Sequence, residues 1–186
     1  MAVVLKRRRF TVDEYYRMAE AGILTGDDRV ELIDGEIVEM SPIGSHHGGQ
    51  VKRLNALFTA RLGTRAIVSV QDPVRLSPHS EPQPDLALLR PREDFYRRSH
   101  PEPADVLLLV EVMDTTVEMD RRVKGPLYAR SGIVETWLVD VTADRIETYR
   151  SPGADGYREV RVLRRGEALA IGAFPDCPFA VDDLLG

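Results

Sequence analysis

The run "DVLLLVEVMD", from Asp105 to Asp114, constrains this chain more than any other stretch. Five consecutive aliphatic residues, Val106 to Val110, show neither helical nor alternating spacing. Such a run asks for a strand covered on both faces, as in the sheet of an α/β protein. Yet Glu111 stands inside it, and an unpaired buried carboxylate costs on the order of several kcal/mol. Twenty-six positions earlier (111 − 85) a second apolar strand, "DLALL", opens on Asp85. Two acids on neighbouring strands can share a hard divalent cation, which takes oxygen ligands. The main-chain carbonyl of Val112, next along the strand, offers a third oxygen. A cation held there would polarise a phosphate and lower the pKa of a bound water.

The remaining segments fit around those strands. Thr11 with Glu14 three residues on is a capping-box pattern and predicts a helix over 12–21. Asp34–Gly35 divides two alternating runs, predicting a hairpin with strands at 29–34 and 36–41. "SPIGSHHGG" reads as a loop. Val51, Leu54, Leu57, Phe58 and Leu62 then follow a 3.6-residue period up to Gly63, an amphipathic helix. "RAIVSV" and "DLALL" are short strands separated by a proline-rich loop, and "REDFYRRSHPEPA" is irregular. "VEMDRRVKGPLYARSG" reads as a helix ending at Gly132, with a kink or fresh start at Pro126. "VETWLVDV", "RIETYR" and "YREVRVLRR" are strands, and "FAVDDLLG" makes a last helical turn. The order describes one α/β domain over 1–186, a mixed central sheet flanked by helices with an amino-terminal helix and β-hairpin.

Composition excludes some classes and marks one residue. No stretch approaches the roughly 18–20 apolar residues that span a bilayer, no secretory signal is visible, and the one cysteine, Cys177, allows no internal disulfide. A cytoplasmic location is the expectation. The net charge of −5 is not that of a strongly basic nucleic-acid binder, although arginines cluster at 90–98 and 121–122. Of 25 cations only Lys6, Lys52 and Lys124 are lysines, so a lone lysine in mid-chain hints that an amine is wanted there. On a helix, Asp120, Lys124 and Tyr128 share one face. That helix follows the Glu111 strand and must pack back over the same sheet, within reach of the carboxylates. The plainer alternative is a solvated Asp120–Lys124 pair worth about 0.3–0.5 kcal/mol.

Pro84–Asp85 followed by an acid in an apolar strand resembles the PD-(D/E)XK nuclease superfamily, whose members have a restriction-endonuclease-like fold. The position two beyond the acid, lysine in that motif, is Met113 here. More narrowly, "FTVDEYYRM", "RVELIDGEIVEMSP", "QPDLALL", "LLLVEVMD" and "DRRVKGPLYARSGIVETWLVD" resemble the bacterial Uma-two branch of that superfamily, where the lysine has moved onto the next helix. The resemblance implies a metal site on Asp85, Glu111 and the Val112 carbonyl, with Lys124 as the displaced catalytic amine. It adds Glu31 from "RVELID" as a further acid. It also implies that one residue of the histidine pair, His46, edges the site; apart from the resemblance, two adjacent histidines are a poor metal clamp and read first as loop decoration. Gln83 and Tyr128 stand as further edge residues, each with a bland reading as loop polarity or core.

Two functions are carried forward. One is a Mg²⁺- or Mn²⁺-dependent endonuclease hydrolysing DNA phosphodiester bonds, with a homodimer or higher homo-oligomer expected because cutting both strands usually pairs sites. The other is a catalytically inactive nuclease-fold module that binds nucleic acid or a protein partner. Neither a glycine-rich phosphate loop nor a thiol motif is present.

Overall fold

The computed structural model describes residues 7–114 and 119–186. Lys6 of the basic amino-terminal run and the start of the helix expected from Val117 lie outside them. The predicted capping box forms: the Glu14 amide donates to Thr11 Oγ1 at 3.2 Å, and the Thr11 amide donates to Glu14 Oε2 at 3.0 Å. It starts α1 (Val12–Glu20). Next come β1 (Val30–Ile33) and β2 (Glu36–Glu39), an antiparallel hairpin turning at Asp34 and Gly35. Both turn residues have positive φ, 49° and 76°, as a tight two-residue turn requires. Gly35 also lies so close to Arg9 that a Cβ would sit 2.5 Å from the Arg9 Cβ, so only glycine fits.

The helix α2 runs Ser45–Leu62, beginning well before the periodic segment that predicted it. The stretch 45–49, read from sequence as loop, is helical, so His46 and His47 lie in its first turn. Gly48 and Gly49, poor helix formers, concealed this start. The core strands are β3 (Ile67–Val70), β4 (Leu86–Leu89), β5 (Val106–Met113), β6 (Glu135–Asp140), β7 (Arg145–Gly153) and β8 (Gly156–Arg164). They form one six-stranded sheet in sequence order. All its pairings are antiparallel except β5 with β6, which is parallel and therefore needs a crossover. That crossover includes a π-helical turn, Asp120–Lys124, and α3 (Gly125–Arg130). A small two-stranded ribbon, β9 (Ala168–Ala170) with β10 (Pro178–Ala180), was not anticipated; α4 (Val181–Leu185) is the expected last turn.

Side chains alternate through the central strands and bury both of their faces. Leu86, Leu108, Val110, Val112, Trp137 and Val139 pack with Leu54 and Phe58 of α2 and Phe179 of β10. On the other face Ala87 and Leu109 pack with Leu127, Tyr128 and Ile133 around α3. All eight residues of β5 are buried, as its unbroken apolar run required. The same alternation turns Glu111, two positions from Leu109, toward α3. Among the described residues no helix is long and apolar enough to cross a membrane.

Candidate active site

The charged groups of the site come from separate parts of the fold. Glu111 occupies the sixth position of β5, pointing to the α3 face, and is 2% exposed. Asp85 immediately precedes β4. Its Oδ2 accepts the Val112 amide at 2.8 Å, and its own amide donates to Glu111 Oε2 at 3.4 Å. A strand residue sends its N–H and C=O toward the same neighbour, so the Val112 carbonyl also leaves on the Asp85 side. Glu31 comes from β1, buried at 3%, with its Oε2 accepting the Gln83 amide at 3.0 Å. Lys124 closes the group. Its Nζ lies 3.3 Å from Glu31 Oε1 and 3.3 Å from Glu111 Oε1. Tyr128, fully buried one turn on, donates to Glu111 Oε1 at 2.5 Å.

The inward aim of Lys124 has a local cause. Pro126 has no N–H to offer the Arg122 carbonyl, and its ring crowds that carbonyl. The backbone widens by one residue before it: the Gly125 amide bonds to the Asp120 carbonyl, five residues back. A Cβ on Gly125 would meet that carbonyl oxygen at 3.3 Å. The wide turn brings Asp120, Lys124 and Tyr128 inward together, all buried. Arg121 pins the turn to the sheet through Glu147 Oε1 at 2.5 Å and Asp140 Oδ2 at 3.2 Å.

Electrostatically the site holds more acid than base. Glu31, Asp85, Glu111 and Asp120 surround one ammonium. Burial works against the charge on Lys124, but Glu111, Glu31, Asp120 and Asp85 prevail and hold its pKa above the ordinary value. Glu111 is pushed up to about 8, mainly by burial, with Asp120 and Asp85 adding to the rise and Lys124 opposing it. Tyr128 is raised by burial and then by Glu111. Burial thus favours the protonated form of Glu111.

Two residues complete the site. His47 Nε2 lies 2.8 Å from Asp85 Oδ1, and this hydrogen bond raises the pKa of the imidazole. Gln71 Nε2 reaches the same oxygen at 3.3 Å. His46, expected at the edge, is instead on the outer side of α2. Its side chain is 69% exposed and its nearest acid, Asp114, is 3.8 Å away. Of the two histidines, His47 is the one that reaches Asp85: the first turn of a helix sends adjacent residues in directions about 100° apart, and His47 falls on the more buried side. Gln83 lines the cavity, a hollow of about 540 Å³ whose walls also include Arg29, Met40 and Ile43. A hollow of similar size, about 570 Å³, beside α1 is lined by Tyr16, Arg17, Arg75 and His100. The buried Glu81 beneath it is already matched by Arg75 at 2.7 Å and Tyr16 at 2.6 Å, so no surplus charge is stored there.

A family model described as "Uma2: Putative restriction endonuclease" matches residues 12–182. This chain belongs to the Uma2 family. The Uma2 fold is also seen in a solved structure described as a "putative nuclease belonging to DUF820" from Anabaena variabilis ATCC 29413. It superposes with a TM-score of 0.72 at 14% identity, covering 95% of this chain and 97% of the other. No curated protein matches the chain. The restriction-endonuclease-like, mixed α/β architecture expected from sequence is therefore the one observed. Within this Uma2 chain, Met113 holds the strand position that a lysine takes in the wider superfamily motif, and it is completely buried.

Proposed function

We propose that the chain is a divalent-metal-dependent endonuclease that hydrolyses phosphodiester bonds of DNA. Membership of a nuclease family supports hydrolysis of nucleic acid. The observation that carries the rest is the convergence of Asp85, Glu111 and Lys124, from the approach to β4, from β5 and from a helix turn, at one cavity. The donor set suits a hard cation: the acids are buried oxygen ligands with more negative charge than Lys124 offsets. Among the described residues no three histidine, cysteine or acidic side chains close into a ready-made cage. Asp85, Glu111 and the Val112 carbonyl would hold an ion such as Mg²⁺ or Mn²⁺ and leave its other positions to water. Bound there, the ion supplies Lewis-acid polarisation of the phosphate and a more acidic water.

The protein's own groups divide the remaining work. Lys124, held charged, is no proton acceptor. Its ammonium orients the attacking water or offsets charge that builds on the phosphate oxygens as water adds to phosphorus and the ester oxygen leaves. Glu31 and Tyr128 hold that ammonium and Glu111 in place. His47 and Gln71 fix the Asp85 carboxylate. Incubation with supercoiled plasmid and Mg²⁺ or Mn²⁺ tests the reading. Nicking by the wild type, reduced by about 10²-fold or more in both Asp85→Ala and Lys124→Ala, is the expected result. No nicking by wild type, with DNA retardation shared by both variants, would favour a binding module instead.

A further inference from the structure

The outermost strand of the sheet, β8, carries no neighbour on its free edge among the described residues. It is nine residues long and contains no proline, and Val160 and Val162 are 51% and 49% exposed on it. The opposite edge strand, β3, has four residues. A long edge with apolar side chains and open main-chain groups is a template for another strand. We infer that β8 pairs antiparallel with β8 of a second copy of this chain, around a twofold axis through Val160.

The charge pattern selects this partner and this register. Across a twofold axis normal to the sheet, paired residues share a face, and the same patch serves both copies. Centred on Val160, each Val160 meets its counterpart, and each Glu159 lies opposite Arg161 of the other copy. Arg158 lies opposite Val162, and Tyr157 opposite Leu163. Shifting the axis by one residue sets Glu159 against Glu159 or Arg161 against Arg161, and directly opposed like charges destabilise a ladder. Within one copy Glu159 takes a hydrogen bond from Ser151 Oγ, and no described carboxylate is in ion-pair contact with Arg161. Both charges are thus available to the second copy. The pairing joins two six-stranded sheets into one and removes Val160 from water on both sides.

This interface stands apart from the nuclease reading, because its test measures mass. Light scattering on the full chain at tens of micromolar should give twice the 20.9 kDa of one copy. Glu159→Arg and Arg161→Glu, each acting twice across the axis, should weaken association by at least about tenfold. The double exchange E159R/R161E should restore the dimer, which a misfolded single variant could not explain. Val160→Arg should also dissociate it by opposing two guanidinium groups. A wild type of 20.9 kDa, single variants that remain dimers, or a double exchange that stays monomeric would each overturn the proposal.

Discussion

Glu111 shows how far one side chain can be read from sequence and what then decides its behaviour. A carboxylate amid aliphatics had to be buried and had to have partners, and Asp85 and Lys124 were legible as those partners. His47 and Gln71 were not. The signal for His47 existed: stepping back from Phe58 through Leu54 and Val51 in helical intervals arrives at 47, inside a stretch whose glycines suggested loop. Gln71 gave no such signal, since its left-handed backbone, φ 55°, is visible only in three dimensions. A pH prediction belongs to this scale. The folded-state pKa of Glu111 is about 8, above its ordinary value of 4.5. The native state therefore binds the proton more tightly, and its stabilising effect is complete below pH 4.5 and lost as pH rises toward 8. Scanning calorimetry of the metal-free protein should show a melting temperature falling between pH 5 and 8. Glu111→Gln, which keeps the neutral shape, should flatten that fall; superimposable curves would mean that Glu111 does not carry it.

Among the elements, the strands and the hairpin followed from residue pattern because periodicity and turn chemistry are local. The π-turn did not. Pro126 marked a break in the helix, but whether the chain kinks, restarts or widens there depends on Gly125 accepting close contact with the Asp120 carbonyl and on Arg121 reaching the acids of β6 and β7. The ribbon of β9 and β10 was missed for a similar reason: three-residue strands are too short to show a period. If Pro126 forces the wide turn, Pro126→Ala restores an amide for the Arg122 carbonyl. The turn then tightens by a residue and swings Lys124 by about 100°. The expected outcome is a protein that melts no lower than wild type yet nicks plasmid at least about tenfold more slowly. Unchanged nicking would show that the proline does not aim the lysine.

For the whole molecule, the sheet is a frame whose central strands are buried on both faces, and the charged cluster is a costly compromise within it. Continuous apolar strands announced the frame. The balance of charge across β1, β4, β5 and the α3 crossover emerged only when these were assembled. A cation that binds the native cluster and not the unfolded chain should raise stability by mass action. At a hundredfold excess over Kd the gain is about 2.7 kcal/mol, or roughly 5–10 °C for a chain of this size. Thermal melts with and without Mg²⁺ should show this rise in wild type and lose it in Asp85→Asn. A wild type indifferent to Mg²⁺ and Mn²⁺ would sink the metal assignment.

The contact between Glu31 and Lys124 joins positions 93 apart (124 − 31). During synthesis Glu31 leaves the ribosome well before the ammonium that will sit beside it has been translated. No truncated product ending before Lys124 can assemble the complete charge set. A polypeptide that stops short of Lys124 therefore carries its acids without the ammonium beside them, and the charge set closes only once the crossover has been made and docked.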